Sequence, residues 1–228
     1  MMSQRPISMI VWDLGGVLMS VLKSRVSNIF ARYSSRFNSE AEMTAFFVNP
    51  DKEWWRIVNN YDGGLATDDQ FFREMSDCLR LEKCVSLDMF RGAWQGSLEF
   101  KPDMLEFVST LYQHKVEQGI ISNLSRMHHE VIFAPGKLER KWFRLAMFSF
   151  AERCIKRLND TEIFTRFIKA VGVNPQEILF VDDRLVNLVS AEEAGMQIFH
   201  FNRHCHHSVN LAALKLFLHL EELFKNRT

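Results

Sequence analysis

MIVWDLGGVL, residues 9–18, is the stretch of sequence that decides the fold of this chain. Its first four residues are apolar and are typical of a buried β-strand. The strand ends at a carboxylate, Asp13, and the flexible pair Gly15-Gly16 follows. Ligands of open α/β sheets bind beside the C-terminal ends of the strands. Asp13 is therefore predicted to be a nucleophile, a metal ligand or a helix cap.

A second stretch of the same kind is EILFVDDRLVN, residues 177–187. Four apolar residues again lead into acids, Asp182 and Asp183, and a helical pattern follows. We expect both strands to be central in one parallel sheet, which would bring Asp13 and Asp183 together. Clustered carboxylates repel one another, so such a cluster usually holds a hard cation such as Mg²⁺.

Strand patterns alternate with helical patterns along the chain, which predicts an α/β fold with a Rossmann-type, mainly parallel sheet flanked by helices. The predicted strands cover residues 9–12, 118–122, 145–149, 178–181 and 197–201. An amphipathic pattern predicts a helix that begins near the last strand and covers residues 208–225.

The segment between the first two strands is too long for a simple crossover and has helical patterns throughout. The predicted helices cover residues 20–37, 39–48, 51–60 and 86–95, and another begins at Thr67, where Gln70 completes a capping-box pattern. We interpret residues 19–96 as an all-helical cap domain. It is inserted into a core domain made of residues 1–18 and 97–228.

Composition and charge exclude several classes of protein. Lysine plus arginine and aspartate plus glutamate number 28 each, so no basic surplus indicates a nucleic-acid partner. The four cysteines have no CxxC spacing, and the first strand begins too early for a signal peptide, which favours a reduced, cytoplasmic protein. No apolar run approaches the ~20 residues that cross a bilayer, so no membrane partner is expected.

The chain resembles the haloacid dehalogenase (HAD) superfamily, in the branch with a helical cap after the first strand (C1, subfamily I), through four short motifs. The first is Asp13-Leu14-Gly15-Gly16-Val17, as in phosphatase-like members. The resemblance implies that Asp13 attacks phosphorus and forms an aspartyl-phosphate. The family usually has a second Asp, which transfers protons, at the position of Gly15. General acid–base catalysis contributes about 10²–10⁴-fold, so Gly15 predicts weakened activity, although its carbonyl can still bind Mg²⁺.

The second motif is the strand end Ser122-Asn123. By the family pattern, Ser122 and Asn123 bind the phosphoryl oxygens of the substrate. A hydroxyl residue followed by Asn is also common in turns that have no such role.

The third motif should supply a catalytic lysine that neutralises the phosphate. Counting back from the following helix places Leu158 at this position, whereas counting forward from the preceding strand places Lys156 there. We favour Lys156, because a phosphate site needs a positive point charge, and we keep Arg157 in reserve. A solvated Lys-Arg pair on a loop is the alternative.

The fourth motif is Asp182-Asp183. By the family pattern, Asp183 is the inner metal ligand and Asn187 lies near the waters of the metal, while Asp182 supports the site without binding the ion. The resemblance thus implies a Mg²⁺ site formed by Asp13, the Gly15 carbonyl and Asp183.

Three further features have weaker functional interpretations. Four histidines surround a cysteine near the C-terminus, but their spacing matches no standard zinc finger: His200, His204, His206 and His207 with Cys205. His128-His129 could reach a substrate, although we expect a solvated loop there. Trp55 and Arg56 on the cap are candidates for the substrate pocket.

The function expected from these residues is Mg²⁺-dependent hydrolysis of a small phosphorylated metabolite by a monomer or homodimer. Gly15 and the uncertain lysine leave open a catalytically impaired member of the fold that serves as a ligand-binding or protein-interaction module. A 2-haloacid dehalogenase is a third possibility. That branch uses no metal, so the Asp182-Asp183 pair argues against it.

Overall fold

The computed structural model describes residues 6–218. Seven strands lie in this range: β1 (Met9–Trp12), β2 (Met19–Val21), β3 (Leu98–Phe100), β4 (Glu117–Ser122), β5 (Leu145–Phe148), β6 (Ile178–Asp182) and β7 (Gln197–His200). Five of them form one parallel sheet in the order β5-β4-β1-β6-β7. The predicted α/β fold is confirmed, and each predicted strand of the sheet is present to within a residue or so.

Eleven α-helices lie in the same range: α1 (Lys23–Phe30), α2 (Glu40–Val48), α3 (Lys52–Asp62), α4 (Asp68–Leu79), α5 (Leu87–Gly96), α6 (Pro102–Gln113), α7 (Arg126–Ile132), α8 (Ser149–Glu152), α9 (Glu162–Val171), α10 (Leu185–Glu193) and α11 (His207–Phe217). Short 3₁₀ turns occur at Ala31–Tyr33, Arg140–Trp142 and Pro175–Glu177. None of the helices between residues 6 and 218 combines the length and the apolar character that crossing a membrane requires.

The sheet is covered on both faces because side chains alternate along its central strand. Ile10 and Trp12 of β1 belong to a buried cluster with residues of α6 and α11. Met9 and Val11 belong to a second cluster with residues of α9 and α10 on the other face. All four residues of β1 are buried, as expected for a central strand of a parallel sheet.

Helices α1–α5 lie between β2 and β3 and have an apolar core of their own, formed by residues such as Phe30, Phe71 and Phe90. We call these five helices the helical block. Several of them begin where the sequence predicts. At Thr67, the predicted capping box is present, since the side chains of Thr67 and Gln70 each accept a backbone hydrogen bond from the other residue.

Two segments join the helical block to the sheet, and β2 and β3 within them pair antiparallel, Ser20 opposite Glu99. The predicted helix over residues 20–37 is wrong at both ends, because Ser20 and Val21 are in β2 and α1 ends at Phe30. The domain boundaries at residues 18–19 and 96–97 stay a prediction. The predicted C-terminal helix corresponds to α11, and its continuation over residues 219–225 lies outside the described residues.

Candidate active site

The site lies where β1, β4 and β6 end side by side. The register pairs Trp12 with Ile120 of β4 and with Val181 of β6, so the residues after each strand meet at one edge of the sheet. Asp13 follows β1 directly, and its backbone N–H donates to Val181 at 2.9 Å. One carboxylate oxygen from each of Asp13, Asp182 and Asp183 lies within 4.8 Å of the other two. The structure thus brings together the acids of the first and fourth motifs.

Lys156 completes this cluster. Its Nζ atom lies 2.7 Å from Asp13 Oδ1 and 2.7 Å from Asp182 Oδ2, and the side chain is almost fully buried. Asn123 holds the backbone of Lys156 from both sides, because its amide donates to the Lys156 carbonyl at 3.0 Å and accepts from the Lys156 N–H at 2.7 Å. The second and third motifs are therefore joined through Asn123.

The two other candidates for the lysine position point away from the cluster. The Arg157 side chain is 67% exposed and pairs with Asp160 at 2.8 Å. Leu158 is 52% exposed. Of the three candidates, only Lys156 reaches the acids, which agrees with counting forward along the chain.

Asp182 and Asp183 have different environments. Asp182 is fully buried, and its oxygens accept from Lys156 Nζ, from the Asn187 amide at 3.0 and 3.1 Å, and from the Arg184 N–H at 2.8 Å. Asp183 lines an open cavity, where Arg203 Nη1 lies 3.7 Å away. Asp183 is thus the more available ligand of the two, whereas Asp182 orients Lys156 and Asn187.

The absence of a side chain at Gly16 leaves space for the Asp183 carboxylate. A Cβ atom at position 16 would lie 2.5 Å from both Cγ and Oδ2 of Asp183, and φ is +81° there. Both the contact and the backbone conformation exclude a larger residue without rearrangement. Lys101 donates to the Gly16 carbonyl and so holds the same turn.

The cluster carries an excess of negative charge. Burial raises the pKa of Asp13 to about 7 despite the opposing ammonium of Lys156, and the charges of Asp182 and Asp183 add to this rise. Burial, and then the charge of Asp182, raise the pKa of Asp183. Burial lowers the pKa of Lys156, but the carboxylates of Asp13 and Asp182 outweigh it and the net pKa is raised. Three carboxylates around one ammonium favour binding of a further cation.

The donor atoms at this edge fit a hard cation. The Asn187 Oδ1 atom is buried and has no hydrogen-bond partner among the described residues. Asp13, Gly15, Asp183 and Asn187 line the same cavity, so residues that carry carboxylate, carbonyl and amide oxygens are together there. Such oxygen ligands are those that Mg²⁺ prefers.

The cavity has a volume of about 630 Å³ and is bounded by both the sheet edge and the helical block. Asn123 and Lys156 also line it. Ser122 is fully buried at the end of β4, and its hydroxyl lies 3.4 Å from the Asn123 carbonyl oxygen, which it faces as a donor. Of the residues predicted to act in catalysis, substrate binding or metal binding, Ser122 does not line the cavity, whereas Asp13, Gly15, Asn123, Lys156 and Asp183 do.

Several lining residues were missed by the sequence analysis: Asp62 of α3, Lys101 before α6, and Arg203 after β7. Asp62 stands in the sequence Tyr61-Asp62-Gly63-Gly64, whose glycines indicate only a turn. Trp55, a predicted candidate, lines the cavity, whereas Arg56 pairs with Glu74 at 2.8 Å on the helical block.

Two of the histidines singled out in the sequence lie at the cavity, and two others lie in α7. His206 and His207 line the cavity with Cys205, and His207 Nε2 lies 2.7 Å from Asp103. The solvated loop expected for residues 128–129 is wrong, since both residues are in α7. His128 is buried, stacks on Trp94 with ring centroids 5.5 Å apart, and lies 2.9 Å from the Trp94 carbonyl oxygen.

No family model and no curated protein sequence matches this chain. Solved structures do match over nearly the whole chain. A HAD family enzyme from Bacteroides thetaiotaomicron is 21% identical with a TM-score of 0.73, and the alignment covers 91% of this chain and 99% of that one. The same enzyme in complex with magnesium and inorganic phosphate has a TM-score of 0.70 at 21% identity, covering 89% and 98%.

L-2-haloacid dehalogenase from Xanthobacter autotrophicus, with chloropropionic acid covalently bound, is more distant in structure. It is 19% identical with a TM-score of 0.63, and the alignment covers 92% of this chain and 83% of the dehalogenase. Likeness at this level of identity identifies a fold. The chain has the HAD-like fold, a parallel α/β sheet with a helical block inserted after its first strand.

Proposed function

We propose that this protein is a Mg²⁺-dependent phosphatase that hydrolyses a small phosphorylated metabolite through an aspartyl-phosphate on Asp13. The observation that carries the proposal is the position of Lys156, whose Nζ atom lies 2.7 Å from Asp13 Oδ1 and which lines the same cavity as Asp183. Phosphoryl transfer requires a nucleophile, a fixed positive charge and a carboxylate that can bind a metal ion, and residues of all three kinds line this cavity.

Asp13, Asp183 and the Gly15 carbonyl would hold the magnesium ion, with Asn187 nearby. The bound ion would neutralise phosphate charge and favour the ionised form of the acids around it. A HAD family enzyme of the same fold has been crystallised with magnesium and inorganic phosphate, which supports this choice of ligand.

The residues of the chain have separable tasks. Asp13 must attack as a carboxylate, and the adjacent ammonium of Lys156 favours that form and offsets the charge of the incoming phosphoryl group. Asn123 lines the cavity and fixes the Lys156 backbone, and the Ser122 hydroxyl donates to the Asn123 carbonyl at 3.4 Å. The helical block, with Trp55 over the cavity, would exclude water and select the substrate.

The equal numbers of basic and acidic residues favour a small soluble substrate over a nucleic acid. We further propose that the protein works in the cytoplasm as a monomer or homodimer. The cluster of three acids disfavours dehalogenation, which needs no metal and is known for a more distant protein of the same fold.

The test is release of phosphate from p-nitrophenyl phosphate with and without Mg²⁺. We expect turnover that depends on Mg²⁺ and that is abolished in Asp13→Asn. Asp88→Asn, on an exposed position of α5, is the matched control and should keep full activity.

Two results would contradict the proposal. Absence of phosphate release from aryl and sugar phosphates, with Mg²⁺ bound, would favour the binding-module alternative. Metal-independent release of chloride from 2-chloropropionate, lost in Asp13→Asn, would favour dehalogenation.

A further inference from the structure

Asp62 is an acid at the cavity that the proposed reaction has not yet used. It is the last residue of α3 and lines the same cavity as Asp13, Gly15 and Lys156. Burial alone raises its pKa to about 7, and within residues 6–218 neither a hydrogen bond nor a neighbouring charge accounts for any part of the shift. A buried carboxyl group whose charge is not compensated costs stability, and its presence in a residue that lines a cavity makes a functional role worth seeking.

The structure fixes the position of Asp62 against the sheet. Its carbonyl accepts from Ser149 Oγ at 2.5 Å, and Ser149 Oγ accepts from the Leu124 N–H at 3.1 Å. The neighbouring Tyr61 hydroxyl accepts from the Met127 N–H at 3.2 Å. Although α3 belongs to the helical block, its C-terminal end is therefore attached to α7 and α8, which follow β4 and β5 of the sheet. Attachment of this kind holds a side chain in place for chemistry.

Position 15 creates the need for such an acid. Gly15 has no side chain that can transfer a proton. In an in-line displacement, the leaving oxygen lies on the side of phosphorus opposite the nucleophile. With Asp13 at the sheet edge, that side is the one that the helical block covers. Among the described residues 19–96 that line this cavity, Asp62 is the only carboxylic acid.

We propose that Asp62 is the general acid and general base of the reaction, in place of the carboxyl group that Gly15 lacks. The inference rests on the proposed phosphatase function and adds a catalytic residue to it.

The proton balance of the two steps is complete. In the first, an Asp13 oxygen bonds to phosphorus and the bond from phosphorus to the ester oxygen breaks. The ester oxygen keeps the electron pair and takes the proton of Asp62, so the alcohol leaves and Asp62 becomes a carboxylate. In the second, Asp62 takes a proton from water as its oxygen attacks phosphorus. The Asp13–phosphorus bond breaks, Asp13 regains its carboxylate, inorganic phosphate leaves and Asp62 is protonated again.

The test compares two aryl phosphates that differ mainly in the leaving group. Phenol, with a pKa of about 10 like that of tyrosine, needs a proton as it leaves, whereas p-nitrophenol is far more acidic and leaves unaided. The ratio of kcat/KM for phenyl phosphate to kcat/KM for p-nitrophenyl phosphate reports the step that forms the phosphoenzyme. We expect Asp62→Asn to lower this ratio by about 10²-fold or more.

A second variant makes the test specific. Nothing lies within 4 Å of a Cβ atom built on Gly15, so a side chain can start there without a clash at its first atom. Gly15→Asp in the Asp62→Asn background should bring the ratio of the two kcat/KM values most of the way back to that of the wild type. The reason is that this variant has a carboxyl group at the position where the family usually has one. Asp69→Asn, at an exposed position of α4, is the control and should leave both rates unchanged.

The outcomes separate the two proposals. No turnover by the wild-type protein, with Mg²⁺ present, removes the phosphatase function and this inference with it. If the wild type is active and Asp62→Asn leaves the ratio of the two kcat/KM values unchanged, only the role of Asp62 is overturned. The same holds if Asp62→Asn lowers kcat/KM equally for both aryl phosphates. Thermal melting checks the fold of each variant, and Asp62→Ser repeats the measurement if the asparagine variant does not fold.

Discussion

Substitution Lys156→Met tests the charge arrangement of the site directly. The Lys156 side chain is 1% exposed, and its ammonium lies 2.7 Å from an oxygen of each of two buried acids, Asp13 and Asp182. Methionine keeps much of the side-chain volume and removes the charge, so two carboxylates lose their common counter-ion without a large cavity being formed.

The expected cost follows from these contacts. Removing one member of a buried ion pair destabilises a protein by about 3–5 kcal/mol, because the remaining charge is buried without compensation. Arg157→Met is the matched control. The Arg157–Asp160 pair is mostly exposed on the arginine side, and surface pairs of this kind contribute about 0–1 kcal/mol. We therefore expect Lys156→Met to lower the free energy of unfolding clearly more than Arg157→Met, although the two residues are adjacent.

The pH dependence adds a second readout. The folded pKa of Asp13 is already raised, to about 7 from 3.8, and loss of Lys156 raises it further. A group with a raised folded pKa contributes its full stability below the unfolded pKa and loses it as the pH rises through the folded value. The loss in free energy of unfolding caused by Lys156→Met should therefore be largest at pH 8 and should become smaller as the pH falls to 5.

Urea denaturation in Mg²⁺-free buffer, followed by tryptophan fluorescence at pH 8 and pH 5, measures both effects. A loss at pH 8 no larger than that of the Arg157 control would refute the reasoning, and so would a loss that does not change with pH. Either result would mean that Lys156 does not neutralise Asp13 and Asp182 in the folded protein. Phosphatase turnover, absent in Lys156→Met and retained in Arg157→Met, is the functional counterpart.

Two further predictions concern the metal. Gly16→Ala should lower Mg²⁺ affinity in isothermal titration calorimetry by about 10-fold or more, because its Cβ atom would displace Asp183, whereas Gly92→Ala, with open space around it, should bind normally. The rise in Tm on adding Mg²⁺ should be larger at pH 8 than at pH 6, because the raised pKa values of Asp13 and Asp183 let protons compete with the ion at lower pH. An equal rise at both pH values would indicate that Mg²⁺ binds elsewhere.

The sequence was sufficient for the sheet, because each of its strands contains at least two consecutive apolar residues and helical patterns lie between the strands. It was insufficient for β2 and β3. Each has three residues, and the central pair, Ser20 and Glu99, is polar and partly or fully exposed. A strand this short shows no periodicity, and its partner lies almost 80 residues away, so only the folded chain reveals the pairing.

Some residues of the candidate site could likewise be predicted from the sequence, and others could not. Asp13 and Asp183 were found from sequence because they follow buried strands, whose ends a parallel sheet places side by side. Lys156 could not be chosen over Leu158 by spacing, because it lies in irregular chain where the family spacing is not kept. The choice depends on the Asn123 side chain, which holds the Lys156 backbone across 33 positions of sequence. Asp62 had no local signal, since the contact with Ser149 that fixes it spans 87 positions.

The position of Asp62 also gives a physical reason why a glycine can stand at position 15. A carboxyl group there would add a fourth acid to the edge where the charge of Asp182 already contributes to the raised pKa values of Asp13 and Asp183. Its protonation would then depend on the occupancy of the cation site. On α3 the acid is apart from this cluster, and burial alone raises its pKa to about 7. Under the proposed mechanism, an acid there with a pKa of about 7 exists in both protonation states near neutral pH, and it delivers its proton from the side on which the alcohol leaves.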